Sequence, residues 1–321
     1  MFRAVWLAEN QVLHLALLEA IDGTTRRDRT RAGAGRAGRL RSRFGRRRSI
    51  HGFRVLRVRR VGRLDWSGDL DTLAGRLRGV IPIPTALPSE ITHDQAMRLF
   101  QYHRSRPFDI KETAADALDG ATVHDITYVG AAGTRYQPNL VLPTGPGPFG
   151  GVMYLHGAGR SSSDFLSEAT ALARRGVAPL LITQPEAQEV PDDGNAAVTE
   201  IVYEMREMGR AMDLLASRPE VDPSRLGFVG FSFGAVGGAT FAGFQSGRLR
   251  IAVLASTPPS YDTPAMVPFD PIVWVSHVSP AALSIQEGKL DTWFTQDEGE
   301  ALIGAAREPK RLAWLGDALG N

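Results

Sequence analysis

From Pro84 to the C terminus, short apolar runs alternate with segments whose apolar residues recur at helical spacing. PSEITHDQAMRLFQYHR opens this region with an amphipathic helix, Ser89 or Thr92 standing as its N-cap and Ala96, Leu99 and Phe100 sharing one face. ATVHDITYVGAAGTRYQPNLVLP alternates apolar and polar residues on either side of a glycine-rich turn. That pattern predicts a β-hairpin from about Val123 to Leu142, closed by GPGPFG. Five apolar strands follow, in GVMYLHG, VAPLLIT, RLGFVGF, LRIAVLAS and PAALSIQEG, and a last one in KRLAWLG. Between them lie helical segments: SDFLSEATALARRG, ending at Gly176, then NAAVTEIVYEMREMGRAMDLLASRP, AVGGATFAGF and DEGEALIGAAREP. The second of these places Val198, Ile201, Val202, Met205, Met208, Met212 and Leu215 on one face, a stripe expected to pack against a sheet rather than bind a cofactor. Repeated β and α units of this length predict an α/β protein, a mostly parallel central sheet with helices on both faces and the β-hairpin at its N-terminal side.

The first 83 residues break the pattern. MFRAVWLAENQVLHLALLEAIDG is interrupted by Glu9, Asn10, His14 and Glu19 and has no small-residue cleavage site after it, which argues against a secretory signal. Between Arg26 and Arg63 there are sixteen arginines and one acid, Asp28, leaving 21 bases against 34 acids in the rest of the chain. The net charge of +2 therefore conceals a cationic segment joined to an acidic body. Such a like-charge block stays solvated. Arginine forks phosphate well, but base-reading elements and interleaved aromatics are absent, so nucleic acid is disfavoured as a partner and an extension without a role, or a misread frame, is the plainer reading. Residues 1–83 are expected to be an arginine-rich disordered or non-native extension, and 84–321 the folded domain, with truncation at its C terminus left open. No apolar run is long enough to cross a membrane. Without cysteine there is no disulfide or thiolate chemistry, and cytoplasmic localisation is the default expectation.

The chemistry concentrates in GFVGFSFGAVGG, where Ser232 stands in Gly-x-Ser-x-Gly between an apolar strand and a run of small residues. A serine hydroxyl is a weak nucleophile until a sharp turn presents it beside a base. A strand-to-helix turn does this, its bulk limited by Gly230 and Gly234, and the helix N terminus then directs backbone N–H groups at a developing oxyanion. YLHGAGRSSSDF supplies the second part: a strand ending in His-Gly-x-Gly, whose Ala158 N–H would pair with that of Phe233 as an oxyanion hole. His156 is expected to brace that turn. Arg160 is either a solvated loop residue or a contact for an acidic substrate group.

LHGAG, RLGFVGFSFGA and SIQEGKLDTWF, in this order, make the chain from about Pro107 onward resemble an α/β hydrolase of the dienelactone hydrolase-like and acetyl esterase-like serine hydrolases. The resemblance implies the α/β-hydrolase fold and, in Gly288-Lys289-Leu290-Asp291, the acid that orients the catalytic histidine, Asp291; Asp270 is the alternative. It also implies a histidine after the last strand, where the chain has Asp317, and no histidine follows His277. Three explanations stand open: a truncated or misread active enzyme, a fold that binds acyl ligands without turning them over, or service by His277 or His156. The expected function is serine-type hydrolysis of small carboxylic esters or lactones through an acyl-enzyme on Ser232, impaired by the missing histidine; the alternatives are an inactive binding protein and a serine peptidase. No cofactor or metal is expected. The partner is a small-molecule ester or lactone, with no membrane involved and the oligomeric state open. The proline-rich stretch from Thr257 to Val273 is expected to form a rigid apolar pocket wall.

Overall fold

In the computed structural model, the described residues are Ile21, Ile81, 91–118, 120–183, 194–261, 264–289, 291 and 294–315. The arginine-rich segment, the boundary at residue 83 and Asp317 lie outside them.

Ten strands form one sheet: β1 (Lys111–Leu118), β2 (Ala121–Val129), β3 (Arg135–Tyr136), β4 (Asn139–Pro143), β5 (Phe149–Leu155), β6 (Val177–Ile182), β7 (Val221–Phe231), β8 (Leu249–Ala255), β9 (Ala282–Gly288) and β10 (Lys310–Leu315). Their order is β1-β2-β4-β6-β5-β7-β8-β9-β10, with β3 pairing β2. Pairing is antiparallel from β1 to β6 and parallel from β6 through β5, β7, β8 and β9 to β10. The hairpin read from the sequence is β2 and β4, Val123 facing Val141.

β1 has no counterpart in the sequence reading. All eight residues of KETAADAL are exposed, so the strand carries no apolar face to betray it and forms through its backbone ladder to β2.

The helix α1 (His93–Leu99) starts at Thr92, whose hydroxyl accepts the Gln95 N–H while the Gln95 side chain accepts the Thr92 N–H. α2 (Leu166–Ala173) follows a 3₁₀ turn at Ser162–Phe165. α3 (Gly194–Ala216) and α4 (Phe233–Phe244) precede and follow β7, α5 (Pro271–Trp274) is one turn long, and α6 (Gln296–Ala305) leads into β10. Alternation in the central strands separates two cores: Met153, Leu155, Phe228 and Leu254 join α3, α4 and α6 on one face. Val152, Tyr154, Val229 and Val253 join α2 on the other. Both faces being covered, these strands are apolar throughout. Met205, Met208 and Met212 are fully buried in the first core, as the stripe predicted.

α3 also carries buried charge. Arg210, wholly buried, donates to the carbonyls of Val129, Arg104 and Arg106 and stacks on the Phe108 ring, 3.7 Å from its centroid. Glu207 accepts the N–H groups of Ala131 and Ala132, each at 2.8 Å, and so fixes the turn between β2 and β3. These side chains replace the water that the loop backbone would otherwise require.

Ile21 is 1% exposed and lies in the second core with Val152 and Ile251. A Cβ at Gly150 would stand 2.0 Å from its Cγ2, so the glycine makes the slot that the isoleucine fills. Ile21→Ala is expected to lower the unfolding free energy by about 2–4 kcal/mol in urea denaturation; a loss below about 0.5 kcal/mol, ordinary for an exposed site, would show that the residue does not pack there.

Candidate active site

Ser232 joins β7 to α4 with φ 53° and ψ −121°, a positive φ that a serine adopts only under tertiary constraint. Its N–H donates to the Ala255 carbonyl at the end of β8, 2.8 Å, and its own carbonyl accepts the N–H groups of Ala235 and Val236, which starts the helix. The flanking glycines are required by close approach. A Cβ on Gly230 would lie 2.4 Å from the Gly234 carbonyl oxygen, and one on Gly234 would lie 2.4 Å from that of His156 and 2.6 Å from that of Leu155. Side chains at either position would therefore collide with backbone, which cannot swing aside.

The loop after β5 reaches the serine from the other side: a Cβ on Gly157 would be 3.0 Å from Ser232 Cβ. Ala158, next along that loop, is exposed, and Phe233 is the first residue of α4, whose leading N–H groups have no carbonyl within the helix. The loop of Ala158 and the N terminus of Phe233 thus flank one serine. Arg160 is exposed and within 3.9 Å of Asp164, as a solvated loop residue would be.

Asp291 follows β9. One carboxylate oxygen accepts the Ser256 hydroxyl at 2.9 Å and the other the Phe294 N–H at 3.3 Å. β9 lies two strands from β7 across β8, a separation of about 10 Å at ordinary strand spacing, too far for direct contact with Ser232 and suited to an intervening side chain. Asp270, the alternative acid, accepts the Tyr261 N–H at 2.8 Å and precedes α5, tying the proline-rich stretch together. In that stretch Met266 and Phe269 are buried in the first core, so its apolar residues serve packing as well as any wall.

Of the two candidate histidines, His277 lies away from Ser232 and His156 lies in the loop beside it. His156 is buried, with Nδ1 2.8 Å from the Gly157 carbonyl, the turn-bracing arrangement. His277 stacks on His93 with ring centroids 3.8 Å apart and packs against Gly243, near the C-terminal end of α4. Twelve helical residues separate that end from Ser232 by about 16 Å. Burial, His93 and Arg307 push the His277 ring below its ordinary proton affinity. Among the described residues, no hydrogen bond joins a histidine to Ser232 or Asp291.

Sequence reasoning missed Ser256, Thr257 and Glu287. Ser256 has φ 59°, and the next N–H, that of Thr257, donates to Glu287 at 3.0 Å. Burial pushes the Glu287 carboxyl up to about 8, opposed by that N–H and reinforced by Asp291 and Glu298. The one sequence signal was an acid inside the apolar run ALSIQEG. A cleft lined by Tyr128, Tyr136, Ile182, Thr183 and Met208 opens at the end of β6, and none of the candidate residues lines it.

No known family profile matches the chain. Acyl-coenzyme A thioesterase 1 of Rattus norvegicus is 26% identical over 220 residues, 62% of this chain. The chain spans 50% of that relative's length and 27% of its Mus musculus counterpart. Among solved structures, acetyl xylan esterase 1 from Thermoanaerobacterium sp. overlays 76% of this chain and 92% of its own with a TM-score of 0.60 at 14% identity. A protein described as a dienelactone hydrolase from Klebsiella pneumoniae overlays 64% of this chain and 87% of its own with a TM-score of 0.50 at 16% identity. The chain has the α/β-hydrolase fold. Within that fold, the structures it overlays are those of an acetyl xylan esterase and a dienelactone hydrolase, the groups its motifs resemble. No described helix is long and apolar enough to cross a membrane, and no described cluster of three His, Asp or Glu side chains could hold a metal ion.

Gly234→Ala is expected to destabilise the protein by about 2–3 kcal/mol or more, and to slow reaction of Ser232 with a fluorophosphonate. Wild-type stability and labelling in that variant would show that the elbow tolerates a Cβ.

Proposed function

We propose that the chain is a serine-type hydrolase acting on small carboxylic esters, lactones or thioesters through an acyl-enzyme on Ser232. The observation that carries this reading is the strained backbone of Ser232 at the start of α4, against the Gly157 loop. Ser232 Oγ attacks the carbonyl carbon as its proton passes to a base, the N–H groups of Ala158 and Phe233 hold the oxyanion until it collapses and expels the alcohol or thiol, which takes up that proton, and water then hydrolyses the acyl-serine to the carboxylic acid and restores the Ser232 hydroxyl. The ends of the helix dipole and of the free N–H groups favour negative charge at the same place. Asp291 would orient a base standing between it and the serine. The thioester is included because the curated relatives are acyl-coenzyme A thioesterases.

A second reading is favoured by one observation: no described histidine hydrogen-bonds Ser232 or Asp291. On this reading the fold binds acyl ligands, and its residual catalysis comes from the oxyanion hole and binding, about 10³–10⁴-fold over water. Asp317 stands where the resemblance puts the base, and a carboxylate of ordinary pKa near 4 is too weak a proton acceptor for this task.

Fluorophosphonate labelling read by mass spectrometry, with hydrolysis of p-nitrophenyl acetate and acetyl-coenzyme A, tests both readings on wild type, Ser232→Ala and Asp317→His. The hydrolase reading expects labelling at Ser232 and turnover abolished in Ser232→Ala. Activity confined to Asp317→His would identify a scaffold lacking only its base. No labelling and no turnover in any form would refute the nucleophile. His277→Ala is expected to leave the labelling rate within twofold of wild type, given its place at the far end of α4; a tenfold drop would return it to candidacy.

A further inference from the structure

Ser256 leaves β8 in the left-handed region, a conformation costly for a serine and held only by its surroundings. That turn sends two donors to two carboxyl groups at the end of β9: the Ser256 hydroxyl to Asp291 at 2.9 Å, and the Thr257 N–H to Glu287 at 3.0 Å. The Ser256 N–H itself donates to the Gln286 carbonyl, so the strand ends are clamped on both sides of the turn.

Glu287 is 2% exposed. Its second carboxyl oxygen is buried and has no hydrogen-bond partner among the described residues, and the same holds for the Thr257 hydroxyl. Gly299 of α6 packs on its side chain, where a Cβ would meet Glu287 Cγ at 3.1 Å, and Trp314 of β10 is its register partner. Among the described residues, the charged groups facing it are both acids, Asp291 in the loop beyond β9 and Glu298 on α6; Glu298 is itself engaged in capping α6 through Thr295. A carboxyl so enclosed and so neighboured favours its protonated form, and the neutral acid still accepts the Thr257 N–H through its other oxygen.

We propose that Glu287 is a positioning residue for Asp291: as a neutral acid it holds Thr257, keeps Ser256 in its left-handed turn, and thereby keeps the Ser256 hydroxyl on the Asp291 carboxylate. Ionising Glu287 places a buried anion beside the half-buried Asp291 and loosens that turn. Because the folded protein binds this proton more tightly than the unfolded chain does, stability from this group is complete below about pH 4.5 and falls as pH rises toward about 8. The consequence for Ser232 rests on the hydrolase reading; the coupling of the two carboxyls does not.

Thermal unfolding from pH 5 to pH 9 is measured for wild type, Glu287→Gln, Asp291→Asn and the double variant, with the fluorophosphonate labelling rate of Ser232 at pH 7 and pH 9. Glutamine has the shape of the neutral acid and cannot ionise. Glu287→Gln is expected to match wild type near pH 5 and to exceed its Tm by roughly 5 °C at pH 9, and this gain is expected to shrink measurably, without vanishing, when Asp291 is asparagine, since removing one like charge eases ionisation of the other while burial, the larger cause, remains. The ratio of the labelling rate at pH 9 to that at pH 7 is expected to be several-fold higher in Glu287→Gln than in wild type. A Tm that follows wild type at every pH, or a gain unchanged by Asp291→Asn, overturns the proposal, as does an unchanged labelling ratio in a protein that labels. If Ser232 labels in no form while the Tm pattern is as expected, the hydrolase reading fails and the coupling of Glu287 to Asp291 stands.

Discussion

The contact of backbone on backbone at the head of α4 is the constraint from which the arrangement of the site follows. Gly234 lies so near the carbonyls of Leu155 and His156 that no side chain fits, and Gly230 stands in the same relation to the Gly234 carbonyl. Only this closeness brings the N terminus of α4 against the end of β5 and forces Ser232 into a positive φ. The start of α4 and the loop after β5 are thereby brought to either side of Ser232. The strain at Ser232 is held by the two sheet cores beneath it, a division of labour common where backbone strain has a use.

A second constraint works from the opposite side of the first core. α3 is the longest described helix, and it buries arginine and glutamate as well as methionine. Its apolar stripe fixes the helix on the sheet, while Glu207 and Arg210 reach past that layer to satisfy the backbone of the β2 turn and of residues 104–106. Buried charge of this kind stabilises less than its count suggests, because desolvation offsets much of the attraction. Its value here is geometric: two loops, the turn after β2 and residues 104–106, acquire fixed side-chain partners beyond their own few turn hydrogen bonds.

What the sequence disclosed tracks which residues obey local rules. Apolar periodicity located the hairpin of β2 and β4, the parallel strands and the helices, since burial on one or both faces leaves a period in the chain. Thr92 was one of two N-cap candidates, with Ser89, and its capping box with Gln95 fixes the start of α1. β1 left no such mark: its residues are all exposed, and only the ladder to β2 makes it a strand. Ile21 was likewise hidden, because its role depends on glycines more than a hundred residues away. At the candidate site, the Gly-x-Ser-x-Gly and His-Gly-x-Gly stretches were readable since steric exclusion demands glycine at fixed offsets. Ser256 and Thr257 were not, for nothing about LASTPP indicates that a serine will take a left-handed turn and face two acids.

That difference bears on how the acid side of the site is built. The backbone turn at Ser232 is set by short-range sterics, which leave no room for a side chain at two glycines and therefore write themselves into the sequence. Asp291 is set by long-range contacts: a hydroxyl from the end of β8, an N–H from its own loop, and beyond them a carboxyl whose proton affinity is raised first by burial and then by the neighbouring acids. In water a carboxylate and a hydroxyl at 2.9 Å gain little from one another, whereas in a partly buried site such as this one the same bond is stronger and its loss costs more. The position of Asp291 is thus sensitive to whether the turn at Ser256 keeps its shape. A strand end that offers one donor to each of two acids makes the placement of the first acid depend on the protonation of the second, and couples the geometry of the site to pH through residues that need never touch a substrate.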